Sequence, residues 1–102
     1  MIHNKLVRDN IPQILKQKNI SVKIHIADDK EYAKKLLEKL QEEVTEYTQT
    51  QTIEEMADIF EVITTILEQK NRTIEQVIAV QQQKRKEKGA FKERIILEET
   101  EE

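Results

Sequence analysis

Five apolar residues, Ala33, Leu37, Leu40, Val44 and Tyr47, recur at alternating steps of four and three. That is the period of an α-helix with one face turned to a core. Met56, Phe60, Ile63 and Leu67 repeat the pattern a little further on. A second stripe on that later segment, Ile59, Val62 and Ile66, lies on another side. A helix that is apolar on two sides is central or makes an oligomer contact. Two such segments in succession point to a mainly α fold: a helical bundle of about four helices around a central antiparallel hairpin.

The helix ends are marked as well. Pro12, the one proline, falls in the first turn of a short helix expected over residues 10–18, where its missing N–H costs nothing. Asp28 with Glu31 opens the second helix, Thr52 with Glu55 the third and Thr73 with Gln76 the fourth, each pair at capping-box spacing. Between the second and third helices, "TQTQT" is rich in β-branched residues that weaken helix propensity. Gly89, the one glycine, is the expected C′ residue of the fourth helix. Outside the helices, Val22, Ile24 and Ile26 alternate with polar residues, which is the period of a strand. "ERIILEE" further on is the only similar run. A small two-stranded antiparallel ribbon, residues 22–27 with 93–98, is therefore expected to pack on the helices and bring the chain's ends together.

With 102 residues the expectation is one domain. Hydrophobic residues are 37% and charged residues 36%, so the core is thin and an oligomer, homodimer or homotetramer, is expected. The absence of cysteine excludes disulfides, thiolate metal sites and a cysteine nucleophile. No apolar run is long enough to cross a membrane. The opening "MIHNKLVRDN" has no apolar stretch of a secretory leader, so the expected location is cytoplasmic. A net charge of −3 argues against a nucleic-acid polymer as partner.

The chemistry lies in "EEVTEYTQTQTIEEMAD". Glu43 and Glu46 stand three apart before the turn, Glu55 and Asp58 three apart after it. With 20 acids, chance alone supplies roughly four such pairs, so either pair by itself reads as a solvated face. Taken together they say more. A hairpin folded between Thr50 and Gln51 sets Glu46 opposite Glu55 and Glu43 opposite Asp58, on faces that adjoin the apolar seam. Carboxylates gathered there repel and resist desolvation, so they call for a cation or raised pKa values. Oxygen ligands suit a hard ion, Mg2+ or Mn2+, and Mg2+ prefers to share its shell with substrate phosphates.

The pattern Glu42-Glu43-x-x-Glu46 followed by Glu55-x-x-Asp58 resembles that of the MazG-like all-α nucleoside triphosphate pyrophosphohydrolases. "NKLVRDNIP" and "KEKGAFKERIIL" resemble a short branch of the same family labelled phosphoribosyl-ATP-pyrophosphohydrolase-like. The resemblance covers nearly the whole chain and implies a single MazG-like domain over residues 1–102. It also implies Mg2+-dependent hydrolysis of a nucleoside triphosphate to monophosphate and pyrophosphate, as in house-cleaning of non-canonical nucleotides. Glu43, Glu46, Glu55 and Asp58 would then hold the metal, with Glu42 helping to position water. In one respect the chain departs from the family pattern: only eight residues separate Glu46 from Glu55, which leaves little room for a substrate-gripping loop.

A triphosphate also needs cations. The candidates are Lys5 and Arg8 near the start, and Lys84, Arg85, Lys88 and Arg94 near the end. Basic residues in a last helical turn equally complement the helix dipole, and Arg8 beside Asp9 could be an ion pair or cap. His3 and His25 are not at metal-ligand spacing, His25 falling on the polar side of the strand pattern. Phe91 is expected to pack beneath the helices, and Tyr32 and Tyr47 to lie in the core or an interface. The alternatives are a phosphoribosyl-ATP pyrophosphohydrolase of histidine biosynthesis, with the same site but one substrate, and a non-enzymatic helical oligomerisation or adaptor module.

Overall fold

The computed structural model describes residues 1–101, and all the regular structure among them is helical. The first helix, α1 (Ile11–Gln17), carries Pro12 in its first turn. The longest, α2 (Asp29–Thr50), is capped by the Asp28 carboxylate, which accepts the Glu31 N–H at 2.8 Å. At the start of α3 (Ile53–Gln69) the Thr52 hydroxyl accepts the Glu55 N–H at 3.2 Å. At α4 (Ile74–Lys88) the Thr73–Gln76 box is closed in both directions. Each cap satisfies an N–H that the helix leaves without a partner. Gly89, with φ of 87°, ends α4 as expected.

Only Gln51 and Thr52 separate α2 from α3. Gln51 takes the left-handed conformation, φ 54° and ψ 34°, and its N–H bonds to the Tyr47 carbonyl at 2.7 Å. That single left-handed residue ends α2, and Thr52 at once caps the next helix. The result is the expected antiparallel hairpin, with its turn at Gln51 and Thr52, one residue beyond the expected fold point between Thr50 and Gln51.

The buried face of α2 is set differently from the four-and-three pattern. Leu36 is 2% exposed, whereas Leu37 is 59% and Val44 45% exposed. The pair Leu36-Leu37 offers two neighbouring stripes, and the hairpin buries the one that continues through Leu40 and Glu43. Glu43 is itself only 6% exposed. Opposite, α3 buries Val62, with Ile59 and Ile66 half-buried beside it, and leaves Phe60 outside. The seam is therefore apolar towards the open end of the hairpin and acidic next to the turn. Tyr32 and Tyr47 are half-buried on α2.

The two-stranded ribbon does not form. Among the described residues there is no strand, and residues 22–27 and 93–98 both run as irregular chain. In the first segment Val22 and Ala27 are half-buried while Ile24 and Ile26 stay exposed. Alternation supplies a face but no backbone partner, and a lone two-stranded ribbon is marginal in water.

The chain falls into two compact units, Met1–Asn71 and Arg72–Glu102. The first holds α1 and the α2–α3 hairpin. The second holds α4 and the C-terminal segment, with every described residue exposed, including Ile74, Val77, Ile78 and Val80. Phe91, expected beneath the helices, is fully exposed there. No helix is long and apolar enough to cross a membrane.

Candidate metal centre

The turn at Gln51 sets the register that assembles the site. One carboxylate oxygen from each of Glu43, Glu55 and Asp58 lies within 4.8 Å of the other two. Glu43 comes from the buried stripe of α2, Glu55 and Asp58 from adjacent turns at the start of α3. Glu46, the fourth corner expected from the sequence, is half-buried one turn along α2 and lies against the Glu43 carboxyl, outside the group of three. Glu42, on the flank of the stripe, is half-buried and accepts a hydrogen bond from Lys5 Nζ at 2.8 Å.

Two oxygens in this cluster, Glu43 Oε2 and Glu55 Oε2, are buried and have no hydrogen-bond partner. Buried polar atoms are normally satisfied, and a buried carboxylate oxygen left alone is costly. Glu55 had a competing role in the sequence as the partner of Thr52 in a capping box. The structure forms only the Thr52 half of that box, which leaves the Glu55 carboxylate to the cluster.

Three cations partly balance the acids. Lys39 Nζ lies 3.1 Å from Glu43 Oε1 and 3.4 Å from Glu42 Oε2. Lys5 pairs with Glu42 at 2.8 Å. Arg8 Nη2 pairs with Asp58 Oδ1, also at 2.8 Å. Lys5, Arg8 and Lys39 thus face five carboxylates, an excess of two negative charges when all are ionised. Lys39 was not singled out in the sequence. Its signal is helical spacing: it stands four residues before Glu43 and three before Glu42, the distances at which side chains meet on one helix face.

Neighbouring carboxyls are pushed in opposite directions. Burial raises the Glu43 pKa, and the adjacent Glu46 carboxyl adds to this, against the pull of Lys39. Burial also acts to raise Glu42, but the Lys5 hydrogen bond and the Lys39 charge together outweigh it and hold that carboxyl below its ordinary value. Lys5 is raised in turn, chiefly by its hydrogen bond to Glu42. A pair of carboxyls whose surroundings drive their pKa values apart is a common feature of sites that handle protons.

Oxygen donors alone, two of them orphaned, and an excess of two negative charges match the needs of a hard divalent cation. The residues present therefore fit Mg2+ or Mn2+.

The other expected cations belong to the second unit. Lys84, Arg85 and Lys88 line an open cleft there with Val77, Val80 and Phe91. Arg94 sits in the irregular segment with a left-handed φ of 60°. His25 is exposed and meets Glu31 at 2.9 Å, well apart in sequence from the acidic cluster, and His3 is exposed. No family model, curated protein or solved structure matches this chain.

Proposed function

We propose that this chain is a Mg2+-dependent nucleoside triphosphate pyrophosphohydrolase of the MazG-like type, a cytoplasmic enzyme that clears non-canonical nucleotides. The observation that carries this reading is the pair of orphaned buried oxygens, Glu43 Oε2 and Glu55 Oε2, in a three-carboxylate group with an excess of negative charge.

Glu43, Glu55 and Asp58 would hold the metal, with Glu46 one turn along α2 as the fourth candidate. When bound, Mg2+ or Mn2+ offsets the phosphate charge and lowers the pKa of the attacking water. Glu42, kept ionised by Lys5 and Lys39, orients that water through its carboxylate. Lys5 and Arg8, in the same unit as the acids, grip the phosphates. Water adds to the α or β phosphorus, the anhydride bond between them breaks, and nucleoside monophosphate and pyrophosphate leave.

The two-residue turn leaves no loop at that end of the hairpin to read a base, which favours a broad substrate range over the single substrate of a phosphoribosyl-ATP hydrolase. Association into a homodimer or homotetramer belongs to the same proposal. It is supported by the exposed Leu37 and Val44 on α2 and by the shallow groove of Ile53, Met56, Ala57, Phe60 and Thr64 on α3.

The deciding assay is product analysis with canonical and modified nucleoside triphosphates, with and without Mg2+. Pyrophosphate and monophosphate in equal amounts, dependent on Mg2+, are expected. Release of orthophosphate as the product would refute the proposal, and turnover of phosphoribosyl-ATP alone would shift it to the histidine pathway.

A further inference from the structure

The three counter-ions of the acidic cluster are of two kinds. Lys39 is part of α2 and its side chain is only 16% exposed. It is a fixed feature of the helix that carries Glu42 and Glu43. Lys5 and Arg8 come from an irregular segment ahead of α1, and their side chains are 44% and 56% exposed. They reach the acids from the solvent side across 37 and 50 residues of sequence.

That segment is anchored by its backbone. The Asn4 carbonyl accepts a bond from Lys35 Nζ, and Asn4 itself bends the chain with a left-handed φ of 49°. At the other end the Arg8 carbonyl accepts the Ile11 N–H at 3.0 Å, which ties the segment to α1. Leu6, between the two cations, is half-buried. The main chain is fastened at both ends, while the two charged side chains, 44% and 56% exposed, are held only by their ion pairs with Glu42 and Asp58.

We propose that residues 4–8 form a counter-ion strap that exchanges partners. In the metal-free protein Arg8 and Lys5 neutralise Asp58 and Glu42. A divalent cation taken up by Asp58 sets a positive charge beside the Arg8 guanidinium, and Arg8 gives way. The freed guanidinium then lies next to the site at which phosphate arrives, with five N–H donors suited to phosphate oxygens. One residue thus guards the acids when the site is empty and grips the substrate when it is full. This inference rests on the hydrolase proposal for its metal and its phosphate.

The exchange has a signature that a structural role lacks: replacing Arg8 moves two affinities in opposite directions. Mn2+ is titrated calorimetrically into the full chain and into Arg8→Gln. Pyrophosphate is then titrated into each protein held at saturating Mn2+. Arg8→Gln is expected to bind Mn2+ roughly three- to tenfold tighter, because an exposed competing charge is gone, and pyrophosphate weaker by a similar factor. Lys5→Gln is expected to change both in the same directions by less. If wild type binds Mn2+ and Arg8→Gln binds it equally or more weakly, the strap is overturned and the hydrolase proposal stands. Unchanged pyrophosphate binding also overturns the exchange. If neither protein binds Mn2+, the metal site itself fails and takes the strap with it.

Discussion

Glu43 lies seven residues beyond Leu36 on α2, on the same stripe two turns away, and both are buried, at 6% and 2% exposure. A carboxyl therefore occupies a core position of the hairpin, and the fold raises its pKa through burial and the neighbouring Glu46. A raised folded-state value means the contribution to stability is complete below the unfolded pKa and is lost as pH rises through the folded one. Without divalent ions, Glu43→Gln is expected to melt higher than wild type at pH 7 and to match it more closely at pH 4. Thermal melts in chelator at the two pH values check this. Glu42, whose pKa is lowered, acts in the opposite sense and loses its contribution as pH falls.

Leu36 and Leu37 are adjacent but should respond very differently to truncation. Leu36→Ala removes one of the few fully buried side chains and is expected to cost about 2–5 kcal/mol, enough to unfold much of a marginal domain. Leu37→Ala, at a 59% exposed position, should change monomer stability by no more than about 0.5 kcal/mol. Urea unfolding of both variants tests the assignment. A large loss at Leu37 that depends on protein concentration would place it in an interface between copies.

Millimolar Mg2+ or Mn2+ is expected to raise the melting temperature, because a ligand that binds only the folded chain stabilises it. At a hundred times Kd the gain is about 2.7 kcal/mol, on the order of 10 °C for a chain of this length. Asp58→Asn should abolish the rise. It should also lose the Arg8 ion pair, an exposed contact worth no more than about 1 kcal/mol.

The turn offers a stabilising change. Gln51 holds a left-handed conformation, φ 54°, that costs a residue with a Cβ about 1 kcal/mol and glycine much less. Gln51→Gly is expected to raise stability by up to about 1 kcal/mol, and Gln51→Val to lower it, both read from denaturant midpoints.

Much of this was visible in the sequence because it is local. Asp28, Thr52 and Thr73 cap the helices their spacing indicates. The short turn after Thr50 brings Glu43, Glu55 and Asp58 together, although Glu46, expected opposite Glu55, stays outside the group. What the sequence concealed depends on packing. A stripe that runs through Leu36 and Glu43 carries a charged residue and does not register as apolar, so the four-and-three pattern through Leu37 and Val44 stands out in its place. The alternation at Val22, Ile24 and Ile26 could not reveal that its backbone has no partner strand. The contacts of Lys5 and Arg8 with the acids span too much chain for any periodicity to announce them.

The separations within the site also favour an order of assembly. Glu43 and Asp58 are fifteen residues apart, on two helices joined by a two-residue turn. Arg8 and Asp58 are separated by 50. Loop-closure entropy makes the longer contact dearer by about 1 kcal/mol, and helical hairpins form early because their contacts are local. During folding the acids are therefore expected to meet before Lys5 and Arg8 reach them. On that order the nascent hairpin's own charges would oppose its closure, and dissolved cations, which screen like charges, would stand in for the N-terminal segment.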